Sequence, residues 1–189
     1  PEFDGIEHLD IHPFNFYDTW SRLLWSHNGR RNADDSYFYD QLDFEPIAGT
    51  DKHVHLVIVG FNSMGRALWQ EAVRIAHYPD FDEMTGKNPT IITVIDPRAK
   101  EIKEELLAQY PDYPTQISDI KFEFKANRIE DNDIRQALVA WAQDEDEMLT
   151  LAICFSDADK SLSTALALPE KLFFSYDNMQ VKPKDAEAP

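Results

Sequence analysis

The sequence lacks several features that common chemistries require. Its single cysteine, Cys154, cannot form an internal disulfide and leaves no thiolate cluster for zinc, which favours a reducing compartment such as the cytoplasm. Eighteen Lys and Arg residues stand against 35 Asp and Glu residues, a formal net charge of −17. Because nucleic acids are bound by basic surfaces, this balance excludes a nucleic-acid partner.

No apolar run reaches the length of a membrane-spanning helix, and no signal peptide is visible. We therefore expect no direct insertion of this segment into a membrane. The chain begins at Pro1 without a methionine, so we expect it to be a piece of a longer protein. The cytoplasmic part of a membrane protein is one interpretation of such a piece.

A hydrophobic content of 43% is that of a globular chain. From residue 54 onward, buried-type strands alternate with helices, and the strands are predicted at 54–59, 90–95, 120–125 and 149–155. Helices are predicted at 64–77, at 100–110, from Asp131 or Asn132, and from Asp157 or Asp159 to Leu168, with a short fifth strand at 172–176. Four such alternations predict an α/β fold, a Rossmann-like, doubly wound parallel sheet with helices on both faces.

Three regions follow from this pattern: an aromatic-rich N-terminal arm at 1–50, the Rossmann-like domain at 51–176, and a flexible tail at 177–189. Within the arm we predict a short helix, capped by Asp18 or Thr19 and ending at Asn28 and Gly29. The arm either packs its aromatic side chains on the domain or docks on a partner chain or a neighbouring domain.

The loop after the first predicted strand is the first candidate binding element. It matches the dinucleotide fingerprint Gly-x-Gly-x-x-Gly except at its second glycine, and it reads Gly60, Phe61, Asn62, Ser63, Met64, Gly65. Gly60 permits a sharp turn, and Gly65 lets the helix approach the strand and the phosphates. We expect Asn62 to take left-handed backbone geometry in place of glycine, or to contact a phosphate with its amide. The alternative is an α/β turn that merely needs two glycines.

Asp96 ends the second predicted strand, where a carboxylate accepts the ribose hydroxyls of an adenosine. Pro97 and Arg98 follow it. An acid at this position prefers NAD over NADP, whereas Arg98 could receive a 2′-phosphate. Asp96 could also simply cap the turn before the next helix.

Polar residues also follow the third and fourth predicted strands. Asn127 and Arg128 lie where an adenine edge would arrive, and Ser156 and Asp157 lie after the fourth strand. Either Asp157 or Asp159 is expected to cap the following helix, which leaves the other to face a nucleotide. Each strand therefore ends in a small or polar residue at the same edge of the sheet.

His53 and His55 share one face of a strand and could ligate a metal, but no third ligand has suitable spacing. We therefore predict no metal site. Cys154 stands in an apolar run and is interpreted as a buried small hydrophobe and not a nucleophile.

Three stretches in order, HLVIVGFNSMGRAL, IITVIDPRAKE and LAICFSDADKSLSTALAL, resemble the regulator-of-potassium-conductance (RCK) or TrkA N-terminal domain over residues 53–170. The residues that match the family's glycines, its acid and its acidic run are Gly60, Gly65, Asp96, Asp157, Asp159 and Leu162. The family's Gly-Asp pair is Ala126-Asn127 here. The resemblance implies a ligand-sensing domain that binds NAD(H), or in some members ATP or ADP, and pairs as a homodimer. It also implies attachment to a potassium channel, a transporter or another cytoplasmic module.

Two other functions stay open beside this regulatory one, for which we predict no catalytic residues. The first is the cofactor domain of an NAD(P)-dependent oxidoreductase, although no tyrosine is followed by a lysine four residues later. The second is a Rossmann-like interaction module that has lost its ligand.

Overall fold

The computed structural model describes residues 15–26 and 52–172. Its strands are β1 (His53–Val59), β2 (Thr90–Ile95), β3 (Ile120–Lys125) and β4 (Glu147–Ile153). Its α-helices are α1 (Phe16–Ser26), α2 (Ser63–Ile75), α3 (Ala99–Gln109), α4 (Tyr113–Gln116), α5 (Asn132–Gln143) and α6 (Ala158–Leu166). A short 3-10 helix follows at Glu170–Leu172.

The described strands form one parallel sheet in the order β3-β2-β1-β4. Parallel neighbours need long crossovers, and a helix lies in each connection. Val59 at the end of β1 is in register with Ile95 of β2 and Ile153 of β4, so these three strands end together. The predicted Rossmann-like α/β fold is confirmed.

Helices cover both faces of the sheet because β1 alternates its side chains between two cores. Leu56 and Ile58 join the core packed by α1, α2 and α3, whereas Val57 and Val59 join the core packed by α5. All four side chains are fully or almost fully buried. This double coverage explains why β1 reads as a near-continuous apolar run.

The predictions about the end of the domain are partly wrong and partly untested. β4 is not a fully buried strand: only Thr150 is buried, because β4 lies at an edge of the described sheet and α6 buries none of its residues. Leu172 ends a 3-10 helix and not a strand. The remainder of the predicted fifth strand and the predicted tail lie outside the described residues.

Helix α1 begins earlier than predicted. Asn15 caps it, since its side-chain Oδ1 accepts a hydrogen bond from the backbone N–H of Tyr17 at 3.0 Å, so the predicted cap at Asp18 or Thr19 is wrong. The predicted end at residues 28–29 lies outside the described residues.

Trp25 anchors α1 to α2 by donating a hydrogen bond from Nε1 to the carbonyl of Leu68 at 3.0 Å.

Within the described ranges, every helix is too short or too polar to cross a membrane.

Candidate functional site

The carboxyl ends of the strands border a crevice of about 360 Å³. Its walls include four predicted site residues: Gly60, Asp96, Pro97 and Asn127. The strand order places the topological switch point between β1 and β4, which is where open α/β sheets bind their ligands. The predicted convergence at this edge therefore holds for the first three strands.

Two glycines fix the junction between β1 and α2. Gly60 has φ +83°, and a Cβ there would lie 2.8 Å from the carbonyl oxygen of Cys154. A Cβ on Gly65 would lie 2.3 Å from the carbonyl oxygen of Gly60. Both positions therefore require glycine, one for the turn and one for the close approach of helix to strand.

Asn62 does not take the geometry that we predicted. Its backbone is extended (φ −76°, ψ −169°), so the expected left-handed conformation is wrong. Its side-chain Oδ1 instead accepts hydrogen bonds from the backbone N–H groups of Met64 and Gly65, each at 3.0 Å. A short side chain with an acceptor is a favourable helix cap when the backbone is extended, which explains the outcome. The donors that a phosphate would use at this helix end already have an acceptor.

The remaining loop residues offer little side-chain chemistry to the crevice. Phe61 is buried and packs edge-on against Trp69, with ring centroids 6.4 Å apart. Ser63 is exposed and Met64 is partly buried against the core. Arg66 turns outward to an ion pair with Glu105 at 3.0 Å.

Asp96 ties the first two loops together. Its Oδ2 accepts from the backbone N–H of Phe61 at 3.0 Å, and its Oδ1 accepts from the backbone N–H of Arg98 at 2.8 Å. The predicted turn cap before α3 is thus present. A carboxylate has about four lone-pair sites, so these two bonds leave capacity for ligand hydroxyls. The Arg98 side chain is mostly exposed, with its Nε 3.9 Å from Asp96.

Asn127 is directed mainly at the start of α5. Its Nδ2 donates to the carboxylates of Asp131 and Asp133, each at 3.2 Å. Asp131 also accepts a hydrogen bond from the backbone N–H of Arg128 at 2.9 Å. This bond and, to a smaller extent, the bond from Asn127 lower the pKa of the Asp131 carboxyl. The amide donors of Asn127 are therefore already used.

Asp157 is the cap of α6. Its Oδ1 accepts from the backbone N–H groups of Asp159 at 2.9 Å and Lys160 at 3.2 Å. Neither Asp157 nor the exposed Ser156 lines the crevice, although both are predicted site residues.

From this part of the chain the crevice lining includes Lys160, whose Nζ lies 4.5 Å from the ring centroid of Phe155. Phe155 was not a predicted site residue, and its position directly after β4 was the available signal.

The pair of histidines lies at the opposite, amino end of β1. His55 contacts Glu147 through Nδ1 at 3.2 Å and Thr93 through Nε2 at 2.8 Å, so both ring nitrogens have protein partners. Burial lowers the pKa of His55 to about 4, which keeps the ring neutral near pH 7. Across residues 15–26 and 52–172, no cluster of three candidate metal ligands is found.

Cys154 is buried, as predicted, and burial raises the pKa of its thiol to about 11. A protonated, buried thiol is a poor nucleophile.

The sheet order, the helices on both faces and the crevice at the switch point define a Rossmann-like α/β domain. No family model, no curated protein and no solved structure matches this chain.

Proposed function

We propose that this domain is a regulatory domain that binds an adenine nucleotide in the crevice at the carboxyl edge of the sheet. The observation that carries the proposal is the Asp96 carboxylate, which borders the crevice and is held in place by the N–H groups of Phe61 and Arg98. An oriented carboxylate at the end of the second strand suits the two hydroxyls of a ribose.

The phosphate groups need a different position from the one that the family resemblance implies. Asn62 already accepts from the first turn of α2, so the candidates to hold the phosphates are Arg128 and Lys160, the positively charged residues that line the crevice. A crevice of about 360 Å³ is near the lower limit of ligand pockets, which span roughly 300–1,000 Å³. These features favour a mononucleotide such as AMP or ADP over a dinucleotide.

NAD(H), the ligand first expected, binds under this proposal only by displacing the Asn62 carboxamide from the α2 terminus. ATP needs more room for its phosphates, and NADP would additionally require Arg98 to turn toward the ribose. Signalling would follow by linkage, because a ligand shifts an attached membrane or cytoplasmic domain by its differential affinity for two arrangements.

Thermal melting with AMP, ADP, ATP, NAD, NADH and NADPH tests the proposal. A ligand at a hundredfold excess over its Kd stabilises the folded state by about 2.7 kcal/mol, so AMP or ADP should raise Tm by several degrees. Asp96→Asn should abolish this shift. Glu83→Gln, which removes the same charge on an exposed loop residue, should leave it intact.

The second candidate is an interaction module that has lost its nucleotide. It is favoured by the internal bonds of Asn62 and of Asn127, which use groups that a nucleotide would contact. In that case none of the six nucleotides changes Tm, and the binding proposal is wrong.

A further inference from the structure

Helix α1 leaves most of its large apolar side chains exposed. It packs on α2 through Ser21 and Trp25, which are 1% and 4% exposed. Five large apolar side chains, each between 41% and 56% exposed, form what we call the α1 stripe: Phe16, Tyr17, Trp20, Leu23 and Leu24. A surface helix normally presents polar residues to water, so a stripe of this kind is typical of a surface that packs against something further.

The spacing of the stripe is the same in both directions along the helix. Reversal about Trp20 exchanges Phe16 with Leu24 and Tyr17 with Leu23, and leaves Trp20 in place. Two antiparallel copies of α1 related by a two-fold axis through Trp20 would therefore set every apolar side chain opposite an apolar side chain. A two-fold interface requires this self-complementarity. If one residue contacts a second residue of the partner, the second residue of the first chain must likewise contact the first residue of the partner.

The charged residues of α1 do not oppose such pairing. Asp18 and Arg22 lie on the flank that faces α2, where Arg22 Nε is 3.7 Å from Glu71 and both line a cavity between the helices. The stripe itself carries no charge, so two chains of net charge −17 can meet there without a like-charge contact.

We propose that the α1 stripe binds a second copy of this chain in an antiparallel, two-fold arrangement. A fully buried aromatic side chain buries roughly 150–250 Å². The three aromatic side chains and two leucines of the stripe are about half exposed, so together they offer roughly 400–500 Å² of accessible surface per copy. The pair would bury close to the roughly 1,000 Å² that a specific interface needs, which predicts a reversible dimer.

This surface is independent of the nucleotide crevice and of the family resemblance, which covers residues 53–170 only. The two regions nonetheless share helix α2. Trp25 donates a hydrogen bond to Leu68 of α2, and Asn62 caps the start of the same helix beside the crevice.

Sedimentation equilibrium of the 189-residue chain from about 1 to about 200 µM tests the dimer over the affinities that such a small interface supports. The average mass should rise from 21.9 kDa toward twice that value. Trp20→Glu should hold the chain at the monomer mass. Met84→Glu, which changes a 95% exposed apolar residue outside the stripe, should dimerise like the unmodified chain.

Because Trp20 is a surface residue, circular dichroism and the urea midpoint should be unchanged in Trp20→Glu at the lowest concentration, where both chains are monomeric. This comparison separates lost pairing from lost folding. A chain that stays monomeric at the highest concentration contradicts the proposal, whether the stripe is then covered by other residues of the same chain or by nothing. Equal dimerisation of Trp20→Glu also contradicts it.

Cross-linking tests the orientation of the two helices. In a Cys154→Ala background, a mixture of Phe16→Cys and Leu24→Cys chains should link to each other more efficiently than either links to itself. Preferential self-linking of each variant would indicate a parallel pair and overturn the antiparallel arrangement.

Discussion

Helices α2 and α6 both start at the carboxyl edge of the sheet, and both are capped by their own sequence. Asn62 accepts from the backbone N–H groups of the second and third residues of α2, and Asp157 does the same for α6. The hydrogen bonds are equivalent, but the caps differ in charge. Asp157 places a negative charge at a positive helix end, whereas the neutral amide of Asn62 leaves that end short of an anion.

The two helices also differ in what holds them. Five residues of α2 are buried, whereas none of α6 is. The start of α2 is fixed further by Gly65 against the carbonyl of Gly60. A similar cap can therefore be part of the core at one helix and a local surface feature at the other. The α2 cap is also the one that an anionic ligand can replace with a gain in electrostatic energy.

Gly65→Ala should destabilise the domain most. Its Cβ would lie 2.3 Å from the backbone oxygen of Gly60, and relief requires a shift of α2 within a packed core. We expect a loss of about 3 kcal/mol in the free energy of unfolding, measured by urea denaturation. Lys160→Ala alters the same position of α6, where the side chain is exposed, and should change stability by less than about 0.5 kcal/mol. Similar losses in the two variants would show that the helices are held alike.

Asn62→Ala removes the α2 cap and should cost about 1–2 kcal/mol of global stability, because α2 unfolds only with the core. Asp157→Ala removes the matching cap, but its cost should stay within α6. Hydrogen exchange should accelerate at the amides of residues 161–166, with little change in the urea midpoint. A midpoint that falls equally in both variants would mean that α6 belongs to the same cooperative unit as α2.

Asn62→Gly should have the smallest effect on stability, a few tenths of a kcal/mol, since glycine is also accepted at a helix N-cap. It restores the glycine of the dinucleotide fingerprint and frees the N–H groups of Met64 and Gly65. Its effect should therefore appear in ligand binding. A urea midpoint lowered as far as in Asn62→Ala would contradict this expectation.

Sequence alone predicts the sheet, its helices and the roles of Gly60 and Gly65, because these depend on periodicity and on local backbone sterics. It does not predict the conformation of Asn62, because a left-handed backbone and an extended one with a capping side chain are both compatible with asparagine. The half-exposed β4 follows from its place at the edge of the described sheet, which no local pattern encodes.

For a related reason, sequence leaves open which side of α1 faces the domain. Apolar residues are normally assigned to the buried side of a helix, yet α1 buries Ser21 and exposes Trp20. Only tertiary contacts with α2 reveal this.

The most direct test of the replaceable Asn62 cap is calorimetric titration of AMP and NADH into the unmodified chain and into Asn62→Gly, with Asp157→Gly as the control at α6. We expect AMP to bind all three alike. NADH should bind Asn62→Gly at least about tenfold more tightly than the other two, which is about 1.4 kcal/mol for hydrogen bonds restored to a charged phosphate. NADH affinity that is equal in the unmodified chain and in Asn62→Gly would contradict the claim that the Asn62 amide occupies the phosphate position.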